Sequence, residues 1–424
     1  MALEGRRVLY ISYNGMLDPL GQSQVLPYLR ALGERGLRFT LLSFEKPAAF
    51  AGKGAERREE LRQRLTAEEI EWHCLHYHQT PSLAATMFDV ANGVRLARKI
   101  IRRKQIELVH ARSHIPATIG LALKRQLGVK LIFDVRGLLA DEYVDAGHWK
   151  KGSVPYRLTK TMERRALAAA DGIVTLTESI WPIIRQWDSL NNRPDVIHEV
   201  VPCCADLDLF KFSAGDRDER RRQLGVSDRF VIVYSGSIDG WYLTEQMADF
   251  FAEVLKVRPE AHFLWLTPTR HERIRSLMQQ RGIRESGYTV LAAAPAEVPA
   301  YLSASDAGLA FIKPCFSKLA SSPTKYAEYL GCGLPLIINS GIGDSDALIT
   351  QERVGALVAE FNASQYSSAI KAIEGFVQDA MQTRKQTRAV AERLFDVGVV
   401  GVERYARLYR AVLNGGTTET KHLS

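Results

Sequence analysis

A hydroxyl at Thr324, an amine at Lys325 and a carboxylate at Glu328 stand close together in the stretch SSPTKYAEYLGCGLPLIIN, residues 321–339. Ser322 suits an N-cap and Pro323 a first helical residue, so a helix is expected to begin here. Thr324 and Lys325 then fall in its first turn, where unpaired amides and the positive end of the helix dipole favour an anion such as phosphate. Glu328, three residues after Lys325, lies on the same face one turn deeper. Ser322, Thr324 and Lys325 thus offer phosphate donors with a carboxylate behind them, a layout suited to a nucleoside diphosphate. Gly331 and Gly333 are placed to end the helix, and residues 334–338 read as a short buried parallel strand. The same spacing also fits a capped surface helix whose Lys and Glu pair only with each other.

Such a helix needs a sheet to aim it. The chain has 424 residues with 46% hydrophobic content, enough for two domains with cores. In the first half, strands are expected at 8–12, 39–43, 71–77, 108–110, 131–135, 172–176 and 196–200, alternating with helices at 56–69, 89–104, 115–127 and 155–170. The second half repeats the pattern, with strands at 230–234, 263–266, 290–291 and 308–311 and helices at 243–257, 270–280 and 298–303. This is an α/β chain with doubly wound parallel sheets and ligands at the strand C-terminal ends.

The pattern S-P-T-K-x-x-E-Y-L-x-C-G-L-P-L-I resembles the donor-site segment of family-4 glycosyltransferases, retaining enzymes of the GT-B fold. The resemblance implies two Rossmann-like domains facing each other across a cleft, with Glu328 on the donor ribose and the helix start by the diphosphate. The first acid of the family's E-x7-E pattern falls on Ala320 and is missing. VVPCCADLDLF, residues 200–210, resembles the family's interdomain segment. That gives an acceptor domain at 1–203, completed by a C-terminal helix at 400–414, and a donor domain at 204–399.

YNGMLDPLGQSQ, residues 13–24, resembles the family's glycine-rich loop. Gly15 and Gly21 would let backbone approach an anion, with Gly21 and Gln22 as donor contacts. The turn YSGSIDGW, residues 234–241, places Ser235 and Gly236 by the donor. It lacks the Arg and Lys that family members carry just beyond, so Lys325, Arg270 or Arg136 would have to supply the charge. Backbone around Ala294 would read the base edge. Arg136 stands where the family has a histidine near the transferred sugar. It cannot act as a base at neutral pH; its structural alternative is a salt bridge to Asp141 or Glu142. Arg136 and Lys325 are the expected catalytic residues.

The resemblance implies transfer of a hexosyl unit from a nucleotide-diphosphate sugar to a lipid-linked glycan acceptor in surface-polysaccharide synthesis. A sugar-nucleotide epimerase of the same fold and an inactive nucleotide-sugar-binding scaffold are the alternatives. No cofactor and no metal are expected; His73, His76 and His78 with Cys74 lack an evident carboxylate partner. No G-x-G-x-x-G supports a nicotinamide enzyme.

Residues 1–205 hold 30 Lys and Arg against 22 Asp and Glu, and the remainder 26 against 26, so the whole +8 excess lies in the first half. Arg95, Arg98, Lys99, Arg102 and Arg103 make the segment 94–104 basic, as for an anionic membrane surface, or as a solvated helix face. No aromatic-basic motif points to nucleic acid. The N-terminal sequence does not read as a signal peptide and no run of about 18 apolar residues exists. Five cysteines without Cys-x-x-Cys give no disulfide framework. A cytoplasmic protein, peripheral at the membrane's inner face, is expected.

Overall fold

The computed structural model describes residues 3–80 and 82–415. The chain divides into two compact units, one running to Pro202 and resuming at Val397, the other Cys203–Asp396. Each is a parallel sheet covered by helices on both faces, which is why its strands are near-continuous apolar runs.

The first sheet has seven strands: β1 (Arg7–Ser12), β2 (Arg38–Glu45), β3 (Glu71–His76), β4 (Leu108–Arg112), β5 (Lys130–Asp134), β6 (Gly172–Thr175) and β7 (Ile197–Val200). Their order is β3-β2-β1-β4-β5-β6-β7, so the winding reverses between β1 and β4. Val8 pairs with Phe39 on one side and Leu108 on the other. The C-terminal helix Val402–Asn414 belongs to this unit. It lies so close to β6 that a Cβ on Gly172 would sit 2.7 Å from the Val412 side chain. Its Tyr405 donates to Asp134 Oδ2 at 2.9 Å, and Tyr409 Oη meets His110 Nδ1 at 2.7 Å. Burial lowers the pKa of His110. Burial opposes the charge on Asp134, but Arg136 and His110 outweigh it and hold the carboxyl below its ordinary value.

The second sheet has six strands: β8 (Val231–Ser235), β9 (His262–Leu266), β10 (Tyr288–Leu291), β11 (Ala307–Ala310), β12 (Leu336–Asn339) and β13 (Gly355–Val358). The order β10-β9-β8-β11-β12-β13 reverses between β8 and β11.

Several elements differ from the sequence reading. The helix expected at 89–104 runs over Ser82–Lys104. The loop expected at 13–24 contains the helix Pro19–Gln24, broken from Leu26–Glu34 at Val25. The charged stretch after the domain boundary is the helix Ala214–Leu224. Its packing is ionic rather than apolar: Arg217 pairs with Asp306 at 2.6 Å and Arg221 donates to the Ala304 carbonyl at 2.8 Å. A hydrophobic period could not reveal such a helix. β13 and the helices Ser345–Glu352, Ala363–Gln378 and Ala380–Phe395 had no counterpart in the sequence reading.

Candidate functional site

Four segments meet at the C-terminal ends of β8, β11 and β12, where an open α/β sheet binds its ligands. The first is the turn after β8. Lys313 N–H donates to the Trp241 carbonyl and Leu243 N–H to the Phe311 carbonyl, tying this turn to the second segment, the run after β11. The third is the helix Thr324–Gly331. The fourth, the loop after β12, is fixed by Asn339, whose side chain brackets Ile312 at 2.7 and 2.9 Å.

The helix begins one residue later than expected. Pro323 is its N-cap, and no side chain caps it. Ser322 instead accepts the N–H of Cys203 at 3.1 Å, a contact within this unit that anchors the helix start. The amides of Thr324 and Lys325 therefore have no partner among the described residues. The helix ends at Gly331, where a Cβ would press on the Phe210 carbonyl at 2.8 Å; Gly333, at φ +80°, makes the turn.

Lys325 is only 5% exposed, yet no carboxylate lies within 4 Å of its amine among the described residues. The amine rests 3.6 Å from the Tyr242 ring centroid and 4.9 Å from that of Tyr234. Cation–π attraction of this kind offsets burial in part and leaves the charge available to an anion. Gly236, at φ +135°, makes room: a Cβ there would lie 3.3 Å from Lys325 Nζ. Ser235 N–H donates to Tyr329 Oη at 2.8 Å, and Tyr329 lies where a Cβ on Gly308 would stand 2.2 Å from its ring. A bare β11 glycine thus lets the helix hold the turn after β8.

Glu328 is partly buried and makes no hydrogen bond or ion pair through its carboxyl among the described residues. Burial pushes it up to about 7, with Lys325 pulling it partly back. Lys325 and Glu328 do not form the surface pair that their spacing also allowed. Ala320 is a buried methyl at the place of the missing acid. Lys318, seven residues before Lys325, is also buried, with its amine 3.8 Å from the Trp241 ring centroid. The sequence reading passed over Lys318 and Tyr242. The available sign was two consecutive aromatics, Trp241 and Tyr242, just after the Asp239–Gly240 turn.

Arg270 and Ala294 do not join this group as expected. Arg270 is exposed and donates to Asp239 at 2.9 Å, beside Arg273, which holds both oxygens of the same carboxylate at 3.0 and 2.8 Å. Asp239, in the turn after β8, is what occupies these cations. The N–H of Ala294 donates to Glu297 Oε2 at 3.1 Å, and its carbonyl accepts from Glu297 N–H at 2.8 Å. Both backbone groups meant for a base edge are thus occupied within their own turn.

In the first unit the glycine-rich loop is closed by its own chain. Glu45, buried at the end of β2, accepts the N–H of Met16 at 2.7 Å and of Leu17 at 3.5 Å. A Cβ on Gly21 would stand 2.3 Å from the Gly15 carbonyl, so that glycine serves loop packing rather than approach to a ligand. Gln22 donates to the Met16 carbonyl of the same loop. Arg136 lies 3.8 Å from Asp134 Oδ1 and 3.5 Å from Gln24 Oε1. Asp141, its anticipated partner, pairs with Lys160 at 3.0 Å. His73 and His78 pair with Glu71 and Asp89, and His76 stacks on Phe50. No cluster of three metal-binding side chains occurs among the described residues. An open cavity of about 630 Å³ lies at the opposite, N-terminal strand ends. Its Arg38 and Lys104 face Glu69 and Glu71, so it is a self-paired groove.

Residues 21–200 match the family model of the glycosyl transferase 4-like domain. Most of the first unit is thus similar to the glycosyl transferase 4-like domain. The family read from the sequence is thereby the one found. No curated protein matches the chain in sequence. Among solved structures, a sucrose-phosphate synthase from Thermosynechococcus elongatus is 17% identical with a TM-score of 0.72, covering 97% of this chain and 100% of that one. HepE from Anabaena, solved in complex with UDP-glucose, is 16% identical with a TM-score of 0.69, covering 95% and 99%. WaaG, a glycosyltransferase involved in lipopolysaccharide biosynthesis, is 14% identical with a TM-score of 0.66, covering 96% and 100%. At these identities the likeness establishes the fold, which is GT-B: the glycosyl transferase 4-like domain followed by a second parallel-sheet unit.

Proposed function

We propose that this glycosyltransferase moves a hexosyl unit from a nucleotide-diphosphate sugar to a lipid-linked glycan acceptor, with retention, and that unit Cys203–Asp396 holds the donor. Lys325 carries the reading: it is a buried ammonium without a carboxylate, at the start of a helix whose first two amides are free. Diphosphate supplies the missing charge. Glu328, one turn deeper and equally unpartnered, then accepts from the ribose hydroxyls. HepE's complex with UDP-glucose supports a uridine nucleotide as the donor class. As the sugar departs, negative charge grows on the diphosphate and Lys325 stabilises it. The leaving diphosphate takes the acceptor proton, so no strong side-chain base is required.

A thermal-shift panel of nucleoside diphosphates and nucleotide sugars tests this. A bound donor at a hundredfold excess over its dissociation constant adds about 2.7 kcal/mol, and Lys325→Ala should abolish the shift. No shift with any nucleotide would make the helix a purely structural element. Incubating the donor without acceptor separates the remaining readings: epimerisation marks the epimerase, and a complete lack of hydrolysis marks the inactive scaffold.

Peripheral membrane binding fits the helix Ser82–Lys104. Leu83, Met87 and Phe88 are exposed along it, followed by Arg95, Arg98, Lys99, Arg102 and Arg103, while Ile100 and Ile101 are buried. No described helix is long and apolar enough to cross a membrane. The protein should bind anionic vesicles and release them as salt shortens the Debye length to about 8 Å and below. Equal binding to neutral vesicles would remove this reading.

A further inference from the structure

The first unit has a buried cation of its own with no carboxylate in direct contact among the described residues. Arg112 closes β4 beside β1 and is 5% exposed. Among the described residues its side chain makes one hydrogen bond, to the neutral Asn14 Oδ1 at 3.1 Å, and its Nε is buried without a partner. No carboxylate lies within 4 Å of it among the described residues. The nearby acid, Asp134, is turned to Arg136 at 3.8 Å and Tyr405 at 2.9 Å. A guanidinium held this way is costly to bury unless an anion reaches it.

Directly after Arg112 the chain enters the 14-residue helix His114–Leu127. Ser113 does not cap it with its side chain, Pro116 has no N–H, and the amides of His114 and Ile115 have no partner among the described residues. Ser113 holds φ 75°, ψ −178°, a region close to glycine-only, at a cost of about 1–3 kcal/mol. Its N–H donates to the Asp134 carbonyl at 2.8 Å, which fixes the turn against β5. The loop after β1 cannot take an anion at Met16 and Leu17, because Glu45 occupies both amides. The amides of His114 and Ile115 follow Arg112 and Ser113 in the chain, at the end of β4.

We propose that Arg112, with Asn14 and the amides of His114 and Ile115, forms an oxyanion site for a phosphate on the substrate held by the first unit. Taking the phosphate from a lipid-linked diphosphate acceptor rests on the glycosyltransferase reading; the site itself does not. Arg136, just past β5, adds a second guanidinium to the same strand ends.

The test is calorimetric titration of pyrophosphate into the full chain carrying Lys325→Ala, which removes the donor-side cation. One site should remain. Adding Arg112→Met should weaken it at least about tenfold, or 1.4 kcal/mol, while the melting temperature holds or rises, because a buried charge without a contacting carboxylate has left the interior and Asp134 keeps Arg136 and Tyr405. Arg112→Lys should bind with intermediate strength, since a point charge lacks the guanidinium fork. Tighter binding of geranyl diphosphate than of pyrophosphate assigns the phosphate to a lipid-linked acceptor; equal binding assigns it to a soluble phosphate at the same site. The proposal is overturned if the Lys325→Ala protein binds no pyrophosphate. It is equally overturned if Arg112→Met binds as before, or if it lowers the melting temperature and Arg112→Lys restores stability without binding. If Lys325→Ala binds as wild type does and only Arg112→Met loses binding, the donor-helix reading fails and this site stands.

Discussion

At the switch point of the first sheet, the loop after β1 meets a buried carboxylate, and Glu45 takes the amides of Met16 and Leu17. At the switch point of the second, the turn after β8 meets a buried ammonium, and Lys325 lies against Gly236 with no carboxylate within 4 Å of its amine among the described residues. Both turns carry glycines after a first strand, and the sequence reading placed both beside the donor, the second without the Arg and Lys expected there. The sign of the buried group facing each turn tells them apart. A carboxylate closes the amides into the fold, whereas an unpaired cation leaves them open to a ligand. The first unit then places its own unpaired cation, Arg112, one strand further along.

The largest effect expected from this contrast is on turnover. On the proposed reading Lys325 acts on charge that develops during transfer, so Lys325→Ala should lower kcat about 10²- to 10³-fold, roughly 2.7–4 kcal/mol. Stability should hold, because no internal partner is orphaned. Steady-state kinetics with a melting curve checks both; a large drop in melting temperature with normal kcat would make Lys325 a core residue.

Glu45→Gln should do the reverse. A buried carboxylate that accepts two backbone N–H groups and the Ser43 hydroxyl at 2.6 Å would be replaced by an amide whose NH2 opposes them. A loss of about 1–3 kcal/mol in stability is expected, with pyrophosphate affinity of the Lys325 site unchanged. If instead the variant stays stable and gains a pyrophosphate site at Met16 and Leu17, the loop is an anion site held shut rather than a structural one.

Glu328→Gln is a smaller and pH-dependent change. The folded carboxyl, raised to about 7 from an ordinary 4.5, favours its protonated form. Its contribution is fully present below about pH 4.5 and is lost as pH rises to 7. Wild type and Glu328→Gln should therefore have similar stability at pH 4.5. Above pH 7 the variant should be more stable, by about 1–2 kcal/mol once water at the partly exposed tip is allowed for. In the proposed donor complex the ribose hydroxyls need the ionised form, and they do not change during transfer. The variant should thus raise donor KM and largely keep kcat, and donor affinity should rise through pH 7 only in wild type. A fall in kcat at constant KM would exchange the roles of Lys325 and Glu328.

The strand-helix alternation was legible because buried parallel strands and amphipathic helices carry their own periods. So was the helix Thr324–Gly331, since a Pro near its start and a Gly after its end bound it. The helix Ala214–Leu224 was not, because its inner face is built from arginines bonding to carbonyls and Asp306. Nor was the occupation of Arg270 and Ala294. Sequence spacing places charges on faces but does not say which acid from another turn reaches them. Asp239 takes Arg270 over a separation of 31 residues, and Glu297 turns back on Ala294. Lys325 could be located on a helix face but not shown to be unpaired, which depends on every neighbouring turn.

Arg270 gives the smallest expected effect and the sharpest test of that distinction. It lies at the start of the helix His271–Gln280 with its side chain mostly in water, and Asp239 is its one carboxylate partner among the described residues. Removing it leaves Asp239 with both hydrogen bonds from Arg273, so no buried charge is orphaned. Exposed ion pairs of this kind contribute about 0–1 kcal/mol, and alanine keeps the same positive φ without adding a new strain. Arg270→Ala should therefore shift stability by less than about 1 kcal/mol and leave kcat and donor KM within about twofold of wild type. Lys325→Ala differs from it by two orders of magnitude although both remove one cation at the strand ends of the same sheet, because only Lys325 lacks an acid. A tenfold or greater loss of kcat in Arg270→Ala would mean that Asp239 releases its arginine when the donor binds, and pairing in the free protein would then no longer separate structural cations from functional ones.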